Sequence, residues 1–147
     1  MFLDALLLVS DAQAFTAVAV STNSIDLGNV TPKRDIGVGE PMGFGINVDV
    51  AASATTVLVE LIQATDGALT AGIVVVSQRT FLAADLPLGA LHFMPWPPTP
   101  ALAGPLRFIG IRVTPVGGAA TVTLTAWLTA QSLFSVASRN YAKGYAV

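Results

Sequence analysis

The chain has no cysteine and one histidine, and only 11% of its 147 residues are charged. The missing thiols exclude disulfides, thiolate zinc sites and thiol catalysis. With a single imidazole, a transition-metal site would rest on carboxylates alone, and no pair of them has ligand spacing. No catalytic, cofactor or metal residues are expected. Seven basic against nine acidic residues give a net charge of −2, and the Lys and Arg are scattered, so no basic stripe follows a phosphate backbone and nucleic-acid binding is not expected. Every apolar run is broken by Asp, Gly, Pro, Thr or Ser well short of the roughly 18 residues that span a bilayer, so no membrane helix is expected. Ala12-Gln13-Ala14 mimics a signal-peptidase site, but the stretch before it carries Asp4 and no Lys or Arg, unlike a secretory leader.

What is abundant is apolar: 53% of residues are hydrophobic and the mean hydropathy is +0.69, against a charged fraction of about 25% in ordinary domains. A chain of this length forms one core, and the surplus needs a second place to go. The pattern is that of strands. Phe44, Ile46, Val48 and Val50 alternate with Gly45, Asn47 and Asp49, a half-buried strand. Over Thr55 to Ala64, Val57, Val59 and Leu61 share one face, and Leu58 and Ile62 flank Glu60 on the other. Asp66-Gly67 marks a turn before the run Ile73 to Val76, also apolar on both faces. A turn over Ala83 to Leu88 precedes a strand from about Ala90 to Trp96 and a stiff loop marked by Pro95, Pro97, Pro98, Pro100 and Pro105. Leu106 to Thr114 and Ala119 to Ala130 read as a hairpin around Pro115-Val116-Gly117-Gly118, with threonines out and aliphatics in on the last strand. The expected fold is all-β, a jelly-roll-like antiparallel β-sandwich. Residues 1–41 hold an N-terminal arm and a first strand over Phe15 to Val20, 42–131 the sandwich core, and 132–147 a C-terminal arm.

Candidate chemistry is thin. His92 lies on the strand face of Ala90, Met94 and Trp96 and reads as a polar edge or interface residue, since no nucleophile motif accompanies it. Asp49 and Glu60 are the carboxylates a hydrolase would have to bring face to face. The glycines of Gly37-Val38-Gly39 and Gly43-Phe44-Gly45 lack the helix a phosphate loop needs and read as turn and close-packing positions. Trp96, Trp127 and His92 would be the stacking residues of a carbohydrate- or receptor-binding module, the competing class. Doubly apolar strands and aromatic arms point instead to protein interfaces. The candidate interface residues are Phe2, Leu3, Leu6 and Leu7, the basic pair Lys33-Arg34, Trp96, and Phe134, Tyr141 and Tyr145.

Ser21-Thr22-Asn23-Ser24-Ile25-Asp26-Leu27-Gly28 and Asp35-Ile36-Gly37-Val38-Gly39-Glu40-Pro41 resemble the opening of tailed-phage capsid cement (decoration) proteins of the Bordetella-phage type. The likeness continues through Thr56 to Gln63, Ala83-Ala84-Asp85-Leu86, Arg107 to Val113 and Gly117 to Thr123. The loop from Pro95 to Gly104 is longer and richer in proline than that pattern. The resemblance implies a jelly-roll subunit on the outside of an icosahedral head, bridging neighbouring major capsid proteins and associating with itself, a dimer before a trimer. It carries no catalytic residues and no cofactor.

Overall fold

The computed structural model describes residues 5–28, 40–97 and 106–134. The strands among them are β1 Leu8–Phe15, β2 Ala19–Val20, β3 Ile25–Asp26, β4 Met42–Val50, β5 Thr56–Ala64, β6 Val74–Leu82, β7 Leu91–Pro95, β8 Phe108–Val116 and β9 Val122–Ala130. They form a first sheet of order β1-β9-β4-β7 and a second of order β2-β8-β5-β6, with β3 also on β8. Every pairing is antiparallel. The all-β sandwich expected from the sequence is the fold. With the two-residue β3 set aside, the first strand pairs with the last, the second with the next to last, and so inward to β5 with β6, which is a jelly roll.

Alternation explains the core. Phe44, Ile46 and Val48 of β4 and Leu124 and Ala126 of β9 meet Val57, Val59 and Leu61 of β5 and Ile109, Ile111 and Val113 of β8 between the sheets. Each such side chain contributes about 1.5–3 kcal/mol by leaving water. Truncating a central one, such as Leu61, would cost more than that transfer term because a cavity remains.

The structure departs from the sequence reading in three places. Val50 is 56% exposed, because a register shift between Val48 and Val50 turns the end of β4 away from the core. The N-terminal region forms its long strand earlier than Phe15 to Val20: β1 is Leu8–Phe15, and Val9 and Phe15 are fully buried. Finally, β8 and β9 are not a hairpin. They lie in different sheets, and the connection between them crosses the sandwich, with Thr55 N–H donating to Val116 O at 2.8 Å and Ser53 N–H to Thr121 O at 2.9 Å. A short Gly-Gly loop between two alternating strands has the same sequence signature at a hairpin and at such a corner.

The two sheets are tied at one corner by Gln13. Its Nε2 donates to Val20 O at 2.9 Å, and its Oε1 accepts from Thr22 N–H at 2.9 Å and from the Ser10 hydroxyl at 3.2 Å. The residue at the centre of the signal-peptidase-like triplet thus joins β1 of the first sheet to the β2 end of the second.

Candidate functional site

The outward faces of the two sheets carry the features that distinguish this sandwich. On the first sheet, Leu8, Trp127, Gly45 and Phe93 stand in one row across β1, β9, β4 and β7. A Cβ on Gly45 would fall 2.7 Å from Cε2 and Cζ2 of Trp127, and one on Gly43 would fall 2.6 Å from Cζ of Phe93. The glycines therefore form a flat floor on which the two aromatic side chains lie, and their reading as close-packing positions holds. Phe134, on the helical turn at 131–134, closes the group, with ring centroids 5.2 Å from Phe93 and 6.5 Å from Trp127. Such aromatic pairs contribute beyond the area they bury.

Beside this pad the same face is polar. Asp49 accepts from Asn47 Nδ2 and from the Thr125 hydroxyl, both at 2.7 Å, while Thr125 Oγ1 accepts from Ala12 N–H at 2.9 Å. That last bond supports a non-glycine residue at φ 42°, in the irregular stretch of β1.

The second sheet is organised differently. Across β8, β5 and β6 its outer face reads Gly110–Ile62–Val75, then Arg112–Glu60–Gln78, Thr114–Leu58–Thr80 and Val116–Thr56–Leu82. In the first row Gly110 and Ile62 are covered by the chain itself, and Val75 at the edge is not. Leu69 reaches back from the loop after β5 and packs with Ile62 and Ala64, with Val20, Ile73 and Phe108 around them. Gly110 leaves the room, since a Cβ there would fall 2.5 Å from Leu69 Cδ1 and 2.7 Å from Ser21 Oγ. Asp66 shapes this loop: its carboxylate accepts from Thr70 N–H at 3.0 Å, the Thr70 hydroxyl at 2.8 Å and Ala71 N–H at 2.7 Å. These bonds, that of Ala71 first, hold its pKa below the ordinary carboxylate value. Leu69, at φ 57°, is thereby turned inward and buried.

In the second row Arg112 grips Glu60 with two parallel bonds, Nε to Oε2 at 2.6 Å and Nη2 to Oε1 at 2.9 Å. Glu60 is only 6% exposed. The bond to its carboxylate raises the Arg112 pKa above the ordinary value, and the two opposite charges of the pair offset each other on this face. Arg107 pairs with Asp26 in the same way nearer the surface, with its pKa likewise raised. The last row is open to solvent, with Leu82 58% and Val116 51% exposed. β6, the edge strand, also exposes Val74 and Val75.

Several sequence candidates change role. Trp96 was read as interface, yet it is 6% exposed and packs against Phe44 with ring centroids 6.2 Å apart, inside the main core. Trp127 is buried on its glycine floor, so neither tryptophan presents a free ring for a sugar. His92 lies on the edge strand β7, its Nε2 2.8 Å from Asp85 O and its ring 4.7 Å from that of Phe81. Asp49 and Glu60 lie on outward faces of opposite sheets and do not form a hydrolytic pair. Leu6 is exposed and Leu7 packs against the core; Phe134 belongs to the aromatic pad. Phe2, Leu3, Lys33, Arg34, Tyr141 and Tyr145 lie outside the described residues. Sequence reasoning missed Gln13 and Leu69. Only the oddity of a lone Leu in a turn-rich stretch signals the second.

A search of curated proteins finds no match. A protein-family scan matches the Bbp16 family over residues 9–128, from the start of β1 almost to the end of β9. The matched span takes in both sheets, the crossing between them and the outward rows described above, and the chain belongs to Bbp16, a family of Bordetella phage proteins.

Proposed function

We propose that this phage protein is a capsid cement, or decoration, protein that binds the outside of an icosahedral head and bridges neighbouring major capsid proteins. The observation that carries the reading is the distribution of apolar surface. Leu82, Val116 and Val75 are exposed on the outer face of one sheet, while the charges of Glu60 and Arg112 between them cancel each other. A flat, nearly neutral surface of this kind suits another protein surface better than a small polar ligand, for which a concave pocket is the usual container. The partners in this reading are the major capsid protein and further copies of the chain, with no nucleic acid or membrane.

The mechanism is multivalent binding. Each contact with the shell is modest, but a subunit held at one point meets its second contact at a high effective concentration, so bridging adds strength that neither contact has alone. The test is to purify heads and measure the ratio of this chain to the major shell protein. A fixed ratio, and lower heat or osmotic resistance in heads lacking the chain, are expected. Heads without this protein, or heads equally resistant when it is deleted, would overturn the reading.

A further inference from the structure

The open edge of the second sheet is the least protected structure in the described chain. Edge strands expose unpaired N–H and C=O groups, and natural sheets blunt them with proline, bulges, brevity or charge. The other described edges are blunted: β7 is five residues long and ends in Pro95, β1 has register shifts at Leu8/Ser10 and Ser10/Gln13, and β2 has two residues. β6 has nine residues without Pro or Gly, its single charge is Arg79, drawn over the Phe81 ring, and its one irregularity falls opposite Leu61/Ile62. From Ser77 to Leu82 it pairs with β5 without a break, and Gln78, Arg79, Thr80 and Leu82 are exposed.

We infer that β6 pairs antiparallel with β6 of a second copy about a two-fold axis at Thr80, joining two second sheets into one continuous sheet. This deepens the self-association part of the reading above and rests on it. The axis follows from the strand. Two identical strands related by a two-fold normal to the sheet pair residues whose numbers sum to twice the central one, and paired residues must share a face. Centring on Gln78 would run the ladder into the irregular position at Val76 and set Phe81, which faces the core, against Val75, which faces out with Ile62. Centring on Arg79 would oppose two guanidinium groups. Centring on Thr80 uses only the unbroken stretch. Thr80 then faces Thr80, Gln78 faces Leu82, and Arg79 faces Phe81 of the other copy. Arg79 already lies over its own Phe81 ring at 4.6 Å, so its charge is held on an aromatic surface at the seam. The outer row Val116–Thr56–Leu82 of one copy would continue into Gln78–Glu60–Arg112 of the next, extending the flat face across the dimer.

The absence of cysteine makes the test direct. The full chain should sediment at twice its 15.1 kDa mass. T80C should crosslink to completion with oxidised glutathione, whereas A14C, on the exposed part of edge strand β1, should not. T80K and T80E should each weaken the dimer by about tenfold or more, and an equal mixture of the two should restore it as a heterodimer, which no purely structural role of Thr80 explains. A monomeric wild-type chain, or a dimer in which T80C stays uncrosslinked and the charge variants do not complement, would overturn the inference. The cement reading is judged apart from it. A monomer that still decorates heads defeats only the edge pairing, and a β6-linked dimer that never binds heads defeats only the cement role.

Discussion

The first sheet and the second sheet solve the same problem in opposite ways. Each has one face in the core and one face left over. On the first sheet the leftover face is filled from within, because Gly43 and Gly45 give up their own side chains so that Phe93, Trp127 and Phe134 can form a small second core. On the second, only the Gly110 row is filled, by Leu69, and the opposite end stays apolar and open at Leu82 and Val116. One face is stabilising and closed. The other forgoes that burial and leaves Leu82 and Val116 in solvent.

The contrast predicts large stability effects on the first face and small ones on the second. Trp127→Ala should cost about 3–5 kcal/mol in urea unfolding, since it removes the centre of the pad and leaves a cavity. Gly43→Ala should cost about 3 kcal/mol, because its Cβ would meet the backbone of Pro95, 2.9 Å from Cα, which cannot give way. Gly45→Ala should cost less, about 1–2 kcal/mol, since it meets only the Trp127 ring, and a cost equal to that of Gly43→Ala would break this account of the floor. Between the extremes, Glu60→Gln leaves Arg112 a partly buried, unpaired cation. About 2 kcal/mol is expected, below the value for a fully buried pair because the Arg112 side chain is 29% exposed. A double-mutant cycle with Arg112→Met should show most of it as coupling. Leu82→Thr and Val116→Thr should change stability by no more than about 0.5 kcal/mol while weakening association.

The smallest effect is a pH dependence. Asp66 has its folded-state pKa below the ordinary value of 3.8, so its contribution is complete above that value and disappears as pH falls through the lower folded one. Hydrogen exchange at Thr70 and Ala71 should lose protection only in that acid range, and Asp66→Asn should abolish the transition.

This division of labour was half legible in the sequence. The inward faces of β4, β5 and β9 follow from alternation alone, as at Phe44, Ile46 and Val48. The doubly apolar character of Val57 to Ile62 was also visible, but not its cause, because the cover on Ile62 comes from Leu69 through a turn whose shape depends on tertiary bonds to Asp66. The sequence leaves Trp96 between a packed and an interface role, and offers it as an interface residue, because a tryptophan among prolines looks the same whether the chain folds it under the sheet or leaves it outside. The β8–β9 connection was misread because strand partners are chosen by the whole topology. Local turn chemistry at Gly117-Gly118 does not report it. His92 reads as a polar edge or interface residue for want of a nucleophile motif, and Gly43 and Gly45 as turn or close-packing positions for want of a following helix. The sheet order decides for the edge and for close packing.

The jelly-roll order also sets a timetable. Among the described residues β1 has β9 as its only strand neighbour, with Phe15 opposite Val122, so a strand made early waits for one made much later. At about 5–20 residues per second that wait is on the order of 5–20 s, during which Val9 and Phe15 have no core to enter. A domain whose closing pair is its most distant pair completes its first sheet only after that later strand has emerged, and it folds slowly for its size. The rate at which β1 finds β9 would then limit how quickly folded copies accumulate.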